Sequence, residues 1–442
     1  IGIGGSGMCP LAEILISEGY TVTGSDNNPG DNIEKLKSLG AKIVMGQKAE
    51  NIEGADMIVF TAALLADNPE LVAAKESGIP TFERAKLFGA ISRMFSNCIA
   101  VCGTHGKTTT TSFISQILLE NQADPTLVIG GKLPLIDSHG RAGKSDTMVC
   151  EACEFVDTFL DLSPDVAVML NIDADHLDYF KTLENLIASF TKFASMATKA
   201  IIYNGDDERT LRALSAVPEK NNVKRISFGF SDSNDYFPTE ITYIRGAFAE
   251  FNVNHHGKIL GRVTLAIPGK HNILNALAAI ATSLNEGIEF NAVAASAEGF
   301  RGAGRRFEIL GKKNGFTVAD DYAHHPAELR ATLNTAMNMG FNEVWAIFQP
   351  FTFSRTSMLF DDFVKVLSIP DHTILTEIMG SRERNTFDVH SAQLCEKIPG
   401  CEGPMSFDQI ADFIIKNARP GDLVITLGCG DIYKCAKMIM GK

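Results

Sequence analysis

Apolar and polar positions recur along this chain in one rhythm. A short apolar run is followed by a turn rich in Gly, Asn or Asp, and then by a longer segment with apolar residues three and four apart. The runs read as buried strands and the longer segments as amphipathic helices. Leu11 to Ile16 carries helical spacing that ends by Gly19, and Tyr20 to Gly24 reads as a strand. Residues 32–39 and 69–77 read as helices, with strands at 41–45 and 57–60. Further strands are predicted at 99–102, 147–150, 166–170, 200–204, 317–319, 344–348, 373–375 and 422–427. Residues 231–265 break the rhythm. Alternation such as Ala249-Glu250-Phe251-Asn252-Val253 predicts an antiparallel hairpin there, with His255-His256-Gly257 at its turn. Strand–helix alternation elsewhere means an α/β fold with parallel sheets and helical crossovers. The repeat reflects three α/β units, placed at 1–95, 96–302 and 303–442, rather than a solenoid.

Composition narrows the classes. The chain has 442 residues, too many for one core, and its 45% hydrophobic and 21% charged content is that of a globular protein. A net charge of −13 argues against broad nucleic-acid binding, yet leaves room for a small anion held by a local loop. No apolar run reaches the roughly 20 residues of a membrane helix, and no basic-then-apolar leader is present, so a cytoplasmic protein without membrane contact is expected. The chain opens inside a glycine motif, which suggests a preceding strand. Nine scattered cysteines are expected to be reduced thiols. Cys150-Glu151-Ala152-Cys153 has metal or redox spacing but no second pair to complete four ligands.

Two glycine loops carry candidate chemistry. The first is Gly2-x-Gly4-x-x-Gly7, with Gly5, Ser6 and Met8 leading into a helix and Ser25-Asp26 past the next strand. Glycines let backbone approach phosphate, and the acid meets a ribose. A redox dinucleotide such as NAD and a nucleotide-sugar diphosphate both fit this pattern. Arg84, before another helix, would hold phosphate or simply face water. The second loop is Gly103-Thr104-His105-Gly106-Lys107-Thr108-Thr109, between an apolar strand and a helix. Strand, glycine turn and helix start form a phosphate cradle, since first-turn N–H groups and the helix dipole favour an anion. Lys107 would reach the terminal phosphates and Thr108 would sit on Mg²⁺. The spacing is tighter than the usual phosphate-loop pattern, because Val101 stands where that pattern has its first glycine.

Acids and amides gather at other strand ends. Glu151 follows one strand, with Glu154 and Asp157 close behind, and Asn171-Ile172-Asp173-Ala174-Asp175-His176-Leu177-Asp178 follows another. Carboxylates and a histidine at strand ends suggest Mg²⁺ ligation. Asn272 and Asn275 are one helical turn apart and share a face suited to a base edge, or to a polar cap. Arg305-Arg306 stands at a joint, and Asp320-Asp321-Tyr322-Ala323-His324-His325-Pro326 precedes a helix.

Taken together, six motifs resemble the Mur ligase family over essentially the whole chain. They are residues 2–8, 103–108, 171–178, 269–276, 305–308 and 320–326. The resemblance implies three domains: an N-terminal Rossmann-like domain for a UDP-sugar, a central P-loop ATPase-like domain with a mixed or parallel sheet, and a C-terminal Rossmann-like domain for an amino acid. It implies ATP and Mg²⁺, with UDP-N-acetylmuramate and L-alanine as small-molecule partners in peptidoglycan precursor synthesis, and a monomer or weak homodimer. Residue by residue, Lys107 matches the phosphate-binding lysine, Thr108 and Glu151 match Mg²⁺ ligands, and His176 matches a ligand of a second Mg²⁺. Asn272 matches the adenine contact with Asn275 nearby, and Arg306 and Asp321 match residues by the ATP phosphates and ribose. His324 lies in the motif lining the reaction centre, as a candidate acceptor of the amine proton. The first-domain glycines match the uridine diphosphate site. Gln349-Pro350-Phe351 departs from the family's Gln-Pro-His in the loop facing the amino acid, while Arg355 and Thr356 are kept. The implied rival is a sibling ligase that adds a preformed peptide to the same sugar acid. An NAD-dependent oxidoreductase would leave the phosphate loop unexplained. Lys107→Ala is expected to abolish ligation and to leave the fold intact.

Overall fold

The structure, a computed structural model, describes residues 1–220, 222–381 and 383–442, apart from the Asp178 side chain. Its first elements are α1 (Cys9–Ser17), β1 (Thr23–Asp26), α2 (Asp31–Ser38), β2 (Lys42–Met45), β3 (Ile58–Phe60), α3 (Pro69–Glu76), β4 (Thr81–Glu83) and α4 (Arg84–Ser92). The strands pair as two parallel ribbons, β1–β2 and β3–β4, where one open sheet was expected. Residues 1–3 lie between the ribbons. Gly2 and Ile3 donate to the Ser25 carbonyl at 2.9 and 3.0 Å, and the Ile1 ammonium donates to the Val59 carbonyl at 2.6 Å.

The central elements are β5 (Asn97–Cys102), α5 (Lys107–Glu120), β6 (Thr126–Leu133), β7 (Ser138–Arg141), β8 (Thr147–Glu151), β9 (Val166–Met169), α6 (Leu177–Phe180), α7 (Leu183–Met196), β10 (Ala200–Asn204), α8 (Glu208–Ser215) and β11 (Lys224–Phe228). The anticipated hairpin is a three-stranded meander, β12 (Tyr236–Ile244), β13 (Phe248–His255) and β14 (Lys258–Pro268), with His255 to Gly257 at its second turn. Ten strands form one mixed sheet in the order β14-β13-β12-β11-β10-β9-β5-β8-β6-β7. β5 pairs in parallel with both β8 and β9, placing Val101 beside Glu151 and Cys102 beside Met169. Alternation sends Cys98, Ala100 and Cys102 to one face. There they share a buried core with Met148, Cys150 and Ala167 of the neighbouring strands and with Leu186, Phe190 and Phe193 of α7. Leu11 and Ile14 of α1 and Phe88 and Ile91 of α4 join the same core.

The remaining elements are α9 (His271–Asn285), α10 (Phe290–Gly299), β15 (Glu308–Lys313), β16 (Phe316–Asp321), α11 (Pro326–Asn338), β17 (Val344–Phe348), α12 (Phe353–Met358), α13 (Phe360–Leu367), β18 (His372–Leu375), α14 (Ser391–Lys397), α15 (Phe407–Asn417), β19 (Leu423–Leu427) and α16 (Tyr433–Gly441). The second sheet runs β15-β16-β19-β17-β18, with β15 antiparallel to β16 and the other pairs parallel. Every residue of β17 and β19 is buried, as a strand covered on both faces must be. Val344, Ala346 and Phe348 face one helical layer, and Trp345 and Ile347 face the other.

Packing divides the chain into two compact units. One holds residues 1–239, 252–262 and 274–297, and the other holds 240–251, 263–273 and 298–442. The expectation of thiols throughout is corrected at one place: Cys395 and Cys401 form a disulfide. The turn after α14 brings their Cα atoms to 5.2 Å, within the range a disulfide needs. Seven cysteines are free, and five of those are buried. Among the described residues no helix is long and apolar enough to cross a membrane.

Candidate functional site

The phosphate loop joins β5 to α5. Gly103 and Gly106 have φ of +144° and +87°, a region that disfavours side chains, and Gly106 caps the helix. A Cβ on Gly106 would also stand 2.4 Å from Asn275 Oδ1. Asn171, at the end of β9, pins the loop from the side. Its Oδ1 accepts the His105 N–H at 2.8 Å, its Nδ2 donates to the His105 carbonyl at 3.0 Å, and its own carbonyl accepts the Thr104 N–H at 3.0 Å. The Asn275 Oδ1 accepts the Thr110 hydroxyl at 3.3 Å, and Asn272, one turn away on α9, donates to the Pro268 carbonyl at 2.7 Å. Asp173 pairs with Arg209 at 2.6 Å and lies 3.6 Å from the His105 ring. His105 is the main cause that holds the Asp173 carboxyl well below the usual carboxylate range.

Lys107 opens α5 with its ammonium folded against its own loop. Nζ donates to the carbonyls of Gly103 at 2.6 Å and Thr104 at 3.1 Å, and lies 2.9 Å from Glu154 Oε2. Burial favours the neutral amine, but Glu154, with Cys153 and Glu151, outweighs it and holds the pKa above the ordinary lysine range. Thr108 donates to Glu151 Oε2 at 2.8 Å, and the same oxygen accepts the Gly130 N–H at 3.0 Å. His176 is the N-cap residue of α6. It sits at φ +54°, 3.7 Å from Asp175 and with its ring 4.8 Å from that of Phe155. Among the described residues no three His, Cys, Asp or Glu side chains gather to hold a metal ion.

The N-terminal glycine loop is also tightly built. Gly4 donates to Asp26 Oδ2 at 2.9 Å and accepts from Asn32 Nδ2 at 2.9 Å, and a Cβ there would meet Ile33 at 2.6 Å. Asp26 spends its other oxygen on the Asn28 N–H at 3.0 Å. Gly7 faces the Arg84 guanidinium, which a Cβ would approach to 3.2 Å. Gly5 and Ser6 are exposed and Met8 is buried. Ser25 is fully buried and donates to Glu70 at 2.6 Å.

In the C-terminal unit, Asp321 accepts N–H bonds from Phe307 at 2.6 Å and Ala323 at 2.7 Å. Burial nevertheless pushes its pKa up to about 6, against the pull of Arg306. Arg306 lies over the Tyr322 ring at 4.9 Å. Arg305 lies 5.0 Å from the Tyr322 ring and 4.9 Å from the Tyr433 ring while pairing with Asp320 at 2.9 Å. His324 Nδ1 is 3.1 Å from the Tyr322 carbonyl and 3.3 Å from Glu328. Burial lowers its pKa, so the ring is neutral near pH 7. With two oxygens facing Nδ1, the proton belongs there, which leaves the lone pair on Nε2. Arg355 lies on α12, whose Ser354 N–H is held by Glu383 at 2.8 Å.

Three family models cover the chain: the Mur ligase family catalytic domain at residues 1–96, the Mur ligase middle domain at 101–283, and the Mur ligase glutamate ligase domain at 305–430. The UDP-N-acetylmuramate–L-alanine ligase of Clostridium acetobutylicum is 42% identical over 448 residues, spanning 100% of this chain and 97% of the relative. The chain belongs to the Mur ligase family. The ligase of the same name from Acetivibrio thermocellus is 43% identical over 447 residues, spanning 100% of this Mur ligase and 94% of the relative. Among solved structures, the UDP-N-acetylmuramate-alanine ligase of Thermotoga maritima superposes with a TM-score of 0.85 at 27% identity, covering 100% of this chain and 97% of that one. A murein peptide ligase from Psychrobacter arcticus shares the fold, with a TM-score of 0.76 at 24% identity and coverage of 100% and 97%.

Sequence reasoning did not single out two side chains that shape this Mur ligase loop. Asn171 was read as one member of a motif, although its amide clamps His105 from 66 positions away. Glu154 was one acid among several, and its only signal was to follow the strand beside the loop strand.

Proposed function

We propose that the chain joins L-alanine to UDP-N-acetylmuramate at the expense of ATP, releasing ADP and phosphate. The observation that carries this reading is 42% identity, end to end, with a relative of that name. A carboxylate resists amine attack because oxide is a poor leaving group. Transfer of the γ-phosphoryl group to the sugar-acid carboxylate gives an acyl phosphate. Attack by the alanine amine then forms the amide and expels phosphate. Lys107 would balance charge on the moving phosphoryl group, and the N–H groups that open α5 would hold the same anion. Neutral His324, with its lone pair on Nε2, is suited to take the amine proton.

Mg²⁺ fits the oxygen pair of Thr108 and Glu151, 2.8 Å apart, because this ion takes one or two protein oxygens and completes its shell with phosphates and water. Bound there, it would neutralise charge on the phosphates. The remaining assignments rest on motif matches. Gly4 to Met8, Asp26 and Arg84 serve the UDP-sugar, while the Ser25 hydroxyl is taken up by Glu70; Gly103 to Thr109, Asn272, Asn275, Arg306 and Asp321 serve ATP; His176 serves a second Mg²⁺; Arg355 serves the amino acid. The three family-model spans support domains at 1–95, 96–302 and 303–442. A cytoplasmic enzyme, acting alone or as a weak homodimer, is consistent with a soluble small-molecule ligation.

Phosphate release tests the reading. It is measured with ATP, UDP-N-acetylmuramate and, in turn, L-alanine, L-serine, glycine and an L-alanine-headed peptide. Alanine should drive release. Release driven by the peptide and not by alanine would move the chain to the recycling ligases.

A further inference from the structure

The Lys107 ammonium has three N–H donors, and its own surroundings take all of them: the Gly103 carbonyl, the Thr104 carbonyl and Glu154. A triphosphate needs at least one of these donors, so one bond must be given up. The three are unequal. A bond to a neutral carbonyl can be given up for another acceptor at small net cost, whereas withdrawing the ammonium would leave the Glu154 carboxylate as an uncompensated buried charge. The Glu154 side chain is 2% exposed and that of Lys107 is 13% exposed, so the pair counts as buried.

We propose that Glu154 is a positioning residue for phosphoryl transfer: its buried carboxylate anchors Lys107 from below while the ammonium exchanges a loop carbonyl for the nucleotide phosphate. This inference rests on the phosphate-loop reading given above. The anchor fixes where the ammonium stands at the moment charge moves. It also lends the loop a negative charge, which opposes triphosphate binding in the ground state. The residue thus spends some nucleotide affinity on transition-state alignment, which is the direction that raises kcat. Glu154 follows β8 by three residues and Lys107 follows β5 by five, and the parallel pairing of those strands brings them to one rim.

Glu154→Gln removes the charge and keeps the shape. ATP affinity, measured by calorimetry without the acceptor substrate, should be unchanged or tighter. The kcat for alanine-dependent phosphate release should fall at least tenfold. Glu154→Asp keeps the charge one methylene further back and should recover part of that loss. If Gln melts below the assay temperature, Asp against wild type reads the same split. A residue that only supports the fold would lose ATP affinity and kcat together, and that result overturns the proposal. So would wild-type kcat in the Gln variant. Failure of wild-type protein to bind ATP would instead reject the phosphate-loop reading itself.

Discussion

Lys107→Ala separates what the loop does from what it costs. Truncation removes the ammonium that pairs with Glu154 and leaves a carboxylate whose side chain is 2% exposed. The lost attraction is not the main term, because a buried pair contributes little net stability over an apolar pair. The dominant cost is the uncompensated charge, roughly 3–5 kcal/mol. For a unit of this size, roughly 2–4 °C is lost per kcal/mol, so the melting point should drop by roughly 6–20 °C. The sequence alone suggests that this variant keeps its fold intact; the buried partner says otherwise. The paired change Lys107→Met with Glu154→Met should melt within about 1 kcal/mol of wild type, since an apolar pair of similar volume replaces the ions. Both variants should fail to release phosphate. Differential scanning calorimetry of wild type, single and double variants decides the point. A single variant that melts with wild type would refute the claim that this pair is buried.

Two further outcomes follow from named contacts. Gly130→Ala places a Cβ 2.4 Å from Glu151 Oε2, so the carboxylate must shift away from Thr108; the Mg²⁺ concentration for half-maximal phosphate release should rise about tenfold or more, and an unchanged Mg²⁺ titration would remove Glu151 from the metal site. Asp321 has a folded pKa raised from 3.8 to about 6, so the folded chain holds this proton more tightly than the unfolded one. Its contribution favours folding fully below the unfolded value and is lost as pH rises through about 6, a swing of about 3 kcal/mol. Asp321→Asn should therefore gain about that much on wild type between acid and neutral pH; parallel urea-midpoint curves for the two proteins would contradict the shift.

Local chemistry was legible wherever one short segment carried it. The β5–α5 junction could be read because an apolar strand, two glycines and a lysine are contiguous, and both glycines do take left-handed backbone. β17 was legible as an unbroken apolar run, and β19 as one interrupted only by Thr426, because helices cover both faces. The meander was legible only as alternation, since period two shows that strands exist and not how many pair. What stayed hidden depends on long-range packing. Asn171 acts on a residue 66 positions earlier. Ser25 reads as a ligand-facing hydroxyl, but Glu70, 45 positions on, draws it inward. The Cys395–Cys401 bridge has no spacing signature and depends on a turn that ends α14.

The place of β5 between β8 and β9 has a consequence for how such a chain can drift. Glu151 and Asn171 reach the phosphate loop because their strands run alongside β5 in fixed register. Side chains alternate along a strand, so deleting one residue within β8 would point Glu151 to the opposite side of the sheet. Lengthening is tolerable only at the other rim, in the turns that lead into these strands, around residues 93–96, 142–146 and 162–165. Relatives that differ in size should therefore carry their insertions at that rim, and keep the strands themselves free of gaps.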